Sequence, residues 1–417
     1  VSTEAVRDTD VLVVGAGPGG AAAAYHLARH GVDVTILDRS SFPREKVCGD
    51  GLTPRSVASL LRMGVDTDDP EFERIIGLRV YSRGATIELP WPELRDWPGY
   101  GLVMTRYALD ARLIERAQKA GARLLERTEA VGPILEDGWV RGANVRPAED
   151  RGAEPTQIRA RFVLAADGAS SRFAAGAGVT RVEDRPLGIA ARRYYRSNHD
   201  PGPWIESWLD LWDGDLLLPG YGWLFPVAGG QINLGAGLLN TFKGFKDVSA
   251  QRLFDAFARM LPSDWGIDEE HADGRILSGP LPMGFNRAPL ATPGMLLVGD
   301  AAGAVNPFNG EGIAYAMETA EMAAELVHEA LAKDRPGLAA MYPSMVRQRY
   351  QAYYRIGSAF ARIIGRPAIM GRATRYLLPN RRVMALALRV MANLSDGRDG
   401  DLDDRIFWVL RKIAGER

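Results

Sequence analysis

Three apolar runs, far apart in the chain, each break into glycine, and two of them also end in a carboxylate, the residue types that admit backbone to a ligand and then hold its hydroxyls. The first is Val11-Leu12-Val13-Val14, which breaks into Gly15-Ala16-Gly17-Pro18-Gly19-Gly20 and then an alanine-rich stretch. It predicts a buried strand, a tight turn and a helix start. Gly15 lets the chain turn, Gly17 lets backbone approach a pyrophosphate, and Gly20 lets helix pack on strand; Pro18 opens the helix, whose free N–H groups and dipole suit phosphate. A second strand, Val34 to Leu37, ends in Asp38 and Arg39, with the carboxylate placed for a ribose hydroxyl. The other two runs are Phe162 to Ala166, ending in Asp167-Gly168, and Met295 to Val298, ending in Gly299-Asp300. Beyond the last come Asn306-Pro307 and Gly310-Glu311-Gly312-Ile313. Each delivers an acid and a glycine to the strand edge where open α/β sheets bind ligands.

Together the three resemble the FAD-binding pattern of flavoproteins built like p-hydroxybenzoate hydroxylase, and that resemblance selects FAD among the dinucleotides. Asp300 then suits the ribityl chain, and Pro307, Gly310, Gly312 and Ile313 suit the edge of the flavin ring. Arg106, opening a Thr-Arg-x-x-Leu-Asp segment, resembles a flavin-contacting residue of this fold; a surface arginine is the plain alternative. Arg44 and Lys46 offer charge to the cofactor phosphates or simply to solvent. Electrons come from NADPH visiting the flavin transiently or from a ferredoxin-like donor, since no second GxGxxG unit follows the first.

The elements that must position these residues are those of an α/β fold with α+β character. It combines a Rossmann-like FAD-binding domain, an inserted antiparallel β-sheet substrate domain and a C-terminal helical region. The expected division is 1–75, 104–178 and 286–335 for the discontinuous FAD-binding domain, 76–103 and 179–285 for the substrate domain, and 336–417 for the helical region. The stretch from about 180 to 285 reads as largely β, and 337–417 as helical throughout.

The chain has 417 residues, enough for two or three domains, with 46% apolar and 25% charged residues and a net charge of -1. Nothing in that balance calls for a nucleic-acid partner. No apolar run reaches the ~20 residues that cross a bilayer and no leader precedes the first strand, so the expected location is cytoplasmic. The single cysteine rules out an intrachain disulfide. Of the five histidines only His26 and His30 are one helical turn apart, and no carboxylate motif supports them, so a metal site is not expected.

Tyr221, Trp223 and Phe225 alternate along one predicted strand and share a face, followed by Pro226. That face is either sheet core or the wall of an apolar pocket. Cys48 lies in the irregular loop Lys46-Val47-Cys48-Gly49-Asp50-Gly51-Leu52-Thr53-Pro54. A lone cysteine is commonly an inert small hydrophobe; in a Gly- and Pro-rich loop it also fits an active site. The segments Arg381 to Met391 and Ile406 to Lys412 mix basic and apolar residues, as both packed helices and interfacial membrane helices do.

Over nearly its whole length the chain resembles the geranylgeranyl reductase family of flavoproteins, in particular actinobacterial menaquinone reductases. The resemblance is carried by the Cys48 loop, by Tyr221-Gly222-Trp223-Leu224-Phe225-Pro226 as the family's Tyr-x-Trp-x-Phe-Pro motif, and by the stretch from Gly299 to Ile313. It implies reduction of an isolated C=C bond in a polyprenyl chain by hydride from reduced flavin. Tyr221, Trp223, Phe225 and Pro226 would line the substrate site, with Cys48 catalytic and, with Gly49, close to the flavin. The implied partner is a hydrophobic isoprenoid, met at a membrane surface if the C-terminal helices dock there. Rival readings on the same fold are a flavin monooxygenase or epoxidase, which would consume O₂, and a reductase of terpenoids or polyenes in secondary metabolism. A flavoprotein that only carries electrons or binds lipid would leave every lipid unaltered.

Overall fold

The computed structural model describes residues 8–366, 369, 372 and 375–415. Thr9–Val14 lies between two parallel neighbours, Val34–Leu37 and Thr156–Ala165, with Arg123–Leu125 and Met295–Leu297 outside them. Strands covered on both faces read as unbroken apolar runs, and Leu12, Val13, Leu164 and Leu296 are fully buried. Register does the rest. Val14 pairs with Leu37 and Ala165, and Ala165 with Leu297, so Gly15, Asp38, Asp167 and Gly299 leave the sheet at one edge.

The helix Pro18–Arg29 packs on the helix Ile313–Ala332, and Ala21 to Ala24 are fully buried there. Small side chains let the two axes approach; a Cβ at Gly19 would stand 3.3 Å from the Ala316 carbonyl oxygen.

A second sheet has the order Ala272–Pro282, Leu187–Arg196, Gln231–Leu239, Tyr221–Val227, Trp204–Trp208, Gly77–Ser82, Ala85–Pro90. It is antiparallel except where Trp204–Trp208 runs parallel to Gly77–Ser82, a departure from the all-antiparallel sheet the sequence suggested. Those two strands come from separate excursions of the chain, so no hairpin constrains their direction. The β-rich reading of 180–285 also misses a helix, Ala250–Met260. Ser249 caps it by accepting the Arg252 N–H, and Leu253, Phe254, Ala256 and Phe257 form the stripe it buries on the sheet.

Among the described C-terminal residues the helices are Tyr342–Ile364, Arg381–Ala392 and Leu402–Ile413, after a short 3₁₀ turn, Pro336–Met341. Part of the expected helical stretch, at 367–368, 370–371, 373–374 and 416–417, lies outside the described residues. The helix Arg381–Ala392 covers the Ala85–Pro90 edge of the second sheet. Its end is pinned: Asn306 Nδ2 and the Tyr353 hydroxyl donate to the Met391 carbonyl at 3.0 and 2.9 Å, and Arg55 donates to that of Asn393 at 2.9 Å. Among the described residues no helix is long and apolar enough to cross a membrane.

Candidate active site

The edge where the first sheet delivers its glycines opens into a cavity of about 1230 Å³, larger than the ~300–1,000 Å³ of an ordinary small-molecule pocket. At one end Gly15, at φ +98°, turns the chain so tightly that a Cβ would overlap the Ala166 carbonyl. The helix that follows has Gly17 as its N-cap and no side-chain cap, so its first N–H groups face the cavity edge. A Cβ at Gly17 would come within 3.7 Å of Arg106 and 3.9 Å of Arg44, which places both guanidinium groups beside the positive end of that helix. Asp38 accepts the N–H groups of Ala16 and Ser40 at 3.0 and 2.9 Å, and Arg44 is 3.4 Å from its carboxylate. Asp38 and Arg39 both line the cavity.

Arg106 is buried and bound to Asp110 by two bonds of 2.6 and 2.7 Å, so it is no surface arginine. Lys46, Arg106 and Asp300 converge on the same region. Burial, reinforced by Arg106, pushes the Lys46 ammonium down, and burial pushes the Asp300 carboxyl up against the pull of Lys46 and Arg106. Gly168, Gly310, Gly312 and Ile313 line the cavity too.

The Cys48 loop crosses the middle. Cys48 is half-buried, and Gly49 and Gly51 lie flat on the aromatic strand: a Cβ at Gly49 would be 3.3 Å from both Trp223 and Phe225. Tyr221, Trp223 and Phe225 all face the cavity, their ring centroids 5.9 and 6.3 Å apart. Beyond them the cavity continues between the second sheet, at Val80, Leu89 and Trp91, and the two helices carrying Phe360, Met384 and Leu388. The stretch Arg381 to Met391 is thus neither plain core nor a free surface helix, because its apolar side walls a slot.

Three expected site residues stand elsewhere. Pro226 follows Phe225 on a strand and so faces away from the cavity. Pro307 packs under the helix Tyr342–Ile364, where a Cβ at Gly357 would meet it at 2.6 Å, and lines a separate void of about 40 Å³. Gly20 is a packing glycine whose Cβ would overlap the Gly15 carbonyl. Asp167 does line the cavity, but its oxygens accept the Ser171 hydroxyl and the Phe173 N–H at 3.1 and 3.0 Å, ordering the turn.

Two acids lining the cavity escaped the sequence reading. Asp50, fully buried, accepts the Tyr194 hydroxyl, Asn233 Nδ2 at 2.8 Å and the Arg106 N–H at 3.2 Å. Burial pushes its carboxyl up to about 6. Its signal was an acid between two glycines; its partners lie on strands with no local motif. Glu311, in the quoted Gly310-Glu311-Gly312 turn, accepts the Thr53 and Ser56 hydroxyls, while its Oε2 is buried with no hydrogen-bond partner among the described residues. Burial pushes it from 4.5 up to about 7. The folded protein therefore holds this proton more tightly than the unfolded chain does. That stabilisation is complete below about pH 4.5 and is lost as pH rises through about 7. Glu311→Gln is expected to flatten the fall in stability between about pH 5 and 8, by on the order of 2 kcal/mol. Thermal denaturation across that range checks it, and parallel curves for the two proteins would refute it.

The FAD binding domain family matches residues 8–203. Menaquinone reductase of Mycobacterium tuberculosis (strain ATCC 25618 / H37Rv) is 35% identical over 407 residues, 97% of this chain and 95% of that one. Digeranylgeranylglycerophospholipid reductase of Thermoplasma volcanium is 30% identical over 348 residues, 82% of this chain and 84% of the other. The chain belongs to the geranylgeranyl reductase family of flavoproteins. It is an FAD-dependent oxidoreductase. A geranylgeranyl bacteriochlorophyll reductase-like structure from Thermoplasma acidophilum shares the fold at a TM-score of 0.75 and 24% identity, covering 98% of this chain and 96% of that one. A flavin-dependent brominase shares it at 0.73 and 16%, covering 98% and 99%. The site of this geranylgeranyl reductase family member fits FAD: an uncapped helix N-terminus flanked by arginines, and a cavity with room beyond a dinucleotide.

Proposed function

We propose that the protein saturates an isolated C=C bond of a polyprenyl chain carried on a menaquinone-like quinone or a related lipid. One observation supports this above the rest: the dinucleotide end and the apolar slot are a single cavity, and they meet at Cys48 and Trp223. In this reading the three stretches 1–75, 104–178 and 286–335 hold FAD, 76–103 and 179–285 supply the substrate sheet, and 336–417 closes the slot. The helix end at Gly17, with Arg44, would take the diphosphate and Asp38 a ribose hydroxyl. Asp300, Gly310, Gly312 and Ile313 would face the flavin. Reduced FAD, when bound, supplies a hydride from N5.

The chain's own residues do the rest. An alkene offers nothing to hydrogen-bond, so Tyr221, Trp223 and Phe225 orient it by shape. Burial and the neighbouring Asp50 push the Cys48 thiol up, so at neutral pH it holds a proton for the second carbon. The slot walls exclude water from that exchange.

The test is anaerobic incubation with chemically reduced flavin and a panel of quinones and prenyl lipids, read by mass spectrometry. A gain of two hydrogens on one lipid is the expected result. Oxygen consumption with a gain of one oxygen would make the chain a monooxygenase, and no altered lipid would remove the reading.

A substrate of this kind resides in bilayers. Ile363, Leu377 and Val383 both line the cavity and are exposed, at 48%, 46% and 37%, beside exposed Tyr376 and the arginines 366, 372, 375, 381 and 382. Such a basic, apolar rim suits an anionic lipid surface. In flotation with anionic liposomes, the protein is expected to rise with the vesicles and Arg381→Glu/Arg382→Glu to stay behind. Wild type remaining at the bottom would sink the idea.

A further inference from the structure

The buried cluster around Asp50 has no part in holding cofactor or lipid in the reading above, yet it is built with unusual care. Asp50 takes a left-handed backbone conformation, φ 67°, which costs a non-glycine residue on the order of 1 kcal/mol and persists only where the surroundings fix it. That conformation brings its N–H to the Cys48 sulfur at 3.3 Å. Its carboxylate is held from three separate elements. Tyr194 donates from the strand Leu187–Arg196, Asn233 from Gln231–Leu239, and the Arg106 N–H from the helix Arg106–Lys119.

Tyr194 and Asn233 are direct cross-strand partners, so the register of the second sheet sets the pair. Asn233, fully buried, uses its whole side chain here. Its amide also donates to the Cys48 carbonyl at 2.9 Å, and its oxygen accepts the Trp223 indole N–H at 3.1 Å. One asparagine thus ties together the thiol-bearing loop, the carboxylate and the central ring of the aromatic wall.

We propose that Asp50 tunes the protonation of Cys48, with Tyr194 and Asn233 as the positioning residues that hold its carboxylate in the loop that carries the sulfur. The inference rests on the reading of Cys48 as the thiol that protonates the alkene. In that reaction hydride adds to one carbon of the double bond. The S–H bond breaks as its proton adds to the other carbon, and a thiolate is left that must regain a proton from water before the next turnover.

Burial opposes the thiolate first, and the negative Asp50 carboxylate in the same loop adds to it, so the proton-bearing form is favoured. Arg106 acts against it, as does the Asp50 N–H on the sulfur, while Lys46, Arg192, Asp300 and Glu45 lie within the field of the neighbouring groups. Asp50 is the acid in the same loop as the sulfur, and its charge adds to burial in holding the proton there. Its own carboxyl stays partly protonated near pH 6, so the control it exerts is expected to weaken below that pH.

Cys48 is the only cysteine in the chain and half-buried on the cavity, so alkylation by iodoacetamide reports on it alone. The rate is measured by intact mass from pH 5 to 10 on FAD-loaded protein, wild type against Asp50→Asn. Asparagine keeps the shape and removes the charge. The thiol is expected to ionise about one pH unit lower, giving about tenfold faster alkylation at pH 7. An unchanged pH profile would overturn the proposal. Should Asp50→Asn fail to fold, Tyr194→Phe decides. Losing one donor leaves Asp50 protonated to higher pH, so alkylation is expected to quicken a few-fold between about pH 6 and 7. No change there would also overturn it. Alkylation involves no alkene, so its failure leaves the reductase reading standing, while absent lipid reduction with a shifted alkylation profile would sink that reading alone.

Discussion

Trp223→Ala is expected to lower lipid reduction by about 100-fold or more while FAD stays bound, because the ring is a wall of the slot and not a ligand of the dinucleotide end. The indole is nearly buried, its N–H is taken by Asn233, and it lies so close over Gly235 that a Cβ there would overlap the ring. Deleting it removes the surface that orients the alkene and frees the Asn233 oxygen. A stability loss of about 3–5 kcal/mol accompanies a truncation of this size. Flavin absorbance separates the two effects, since the variant should remain yellow. Trp223→Phe keeps a ring without the N–H and should retain intermediate turnover. Undiminished turnover in the alanine variant would show that this ring orients nothing.

Arg55→Ala should cost about 3–5 kcal/mol of stability, through a charge left alone in the interior. Arg55 and Glu318 are 5% and 2% exposed and meet through two contacts of 2.7 and 2.9 Å. Each holds the other well inside its charged range: Glu318 raises Arg55, and Arg55 lowers Glu318 against the cost of burial. Without the guanidinium, Glu318 keeps, among the described residues, the Tyr350 hydroxyl and a distant Arg349 at 3.9 Å. The Asn393 carbonyl also loses its donor, so the end of the helix Arg381–Ala392 should loosen. Thermal denaturation measures the first effect and limited proteolysis near that helix the second. The pair Arg55→Met/Glu318→Leu is expected to recover much of the loss, since an apolar pair of like volume needs no counter-charge. A double variant no better than the single one would contradict the electrostatic cause.

What could be read from the residues alone was what backbone chemistry dictates. Gly15, Asp38, Gly168 and Asp300 stand at strand ends because a parallel sheet offers its ligand there, and the apolar runs before them announce the strands. The alternation of Tyr221, Trp223 and Phe225 gave their common face. The same periodicity argued against Pro226, which the motif nevertheless carried along. What stayed hidden depends on distance along the chain. Asp50 meets Tyr194 and Asn233 across separations of 144 and 183 residues, fixed by the register of a sheet that no local pattern encodes. The helix Ala250–Met260 was masked because its aromatic stripe sits among strands rich in the same residues. The Arg381–Ala392 helix read as core or membrane surface because an apolar stripe does not say whether it faces protein, lipid or a ligand.

That the slot is roofed by residues 381–392 has a bearing on how the protein is made. Synthesis proceeds from the amino terminus, and upstream domains can fold while later ones are still being added. The slot is therefore among the last features to close, when Asn306 and Arg55 take the carbonyls of Met391 and Asn393.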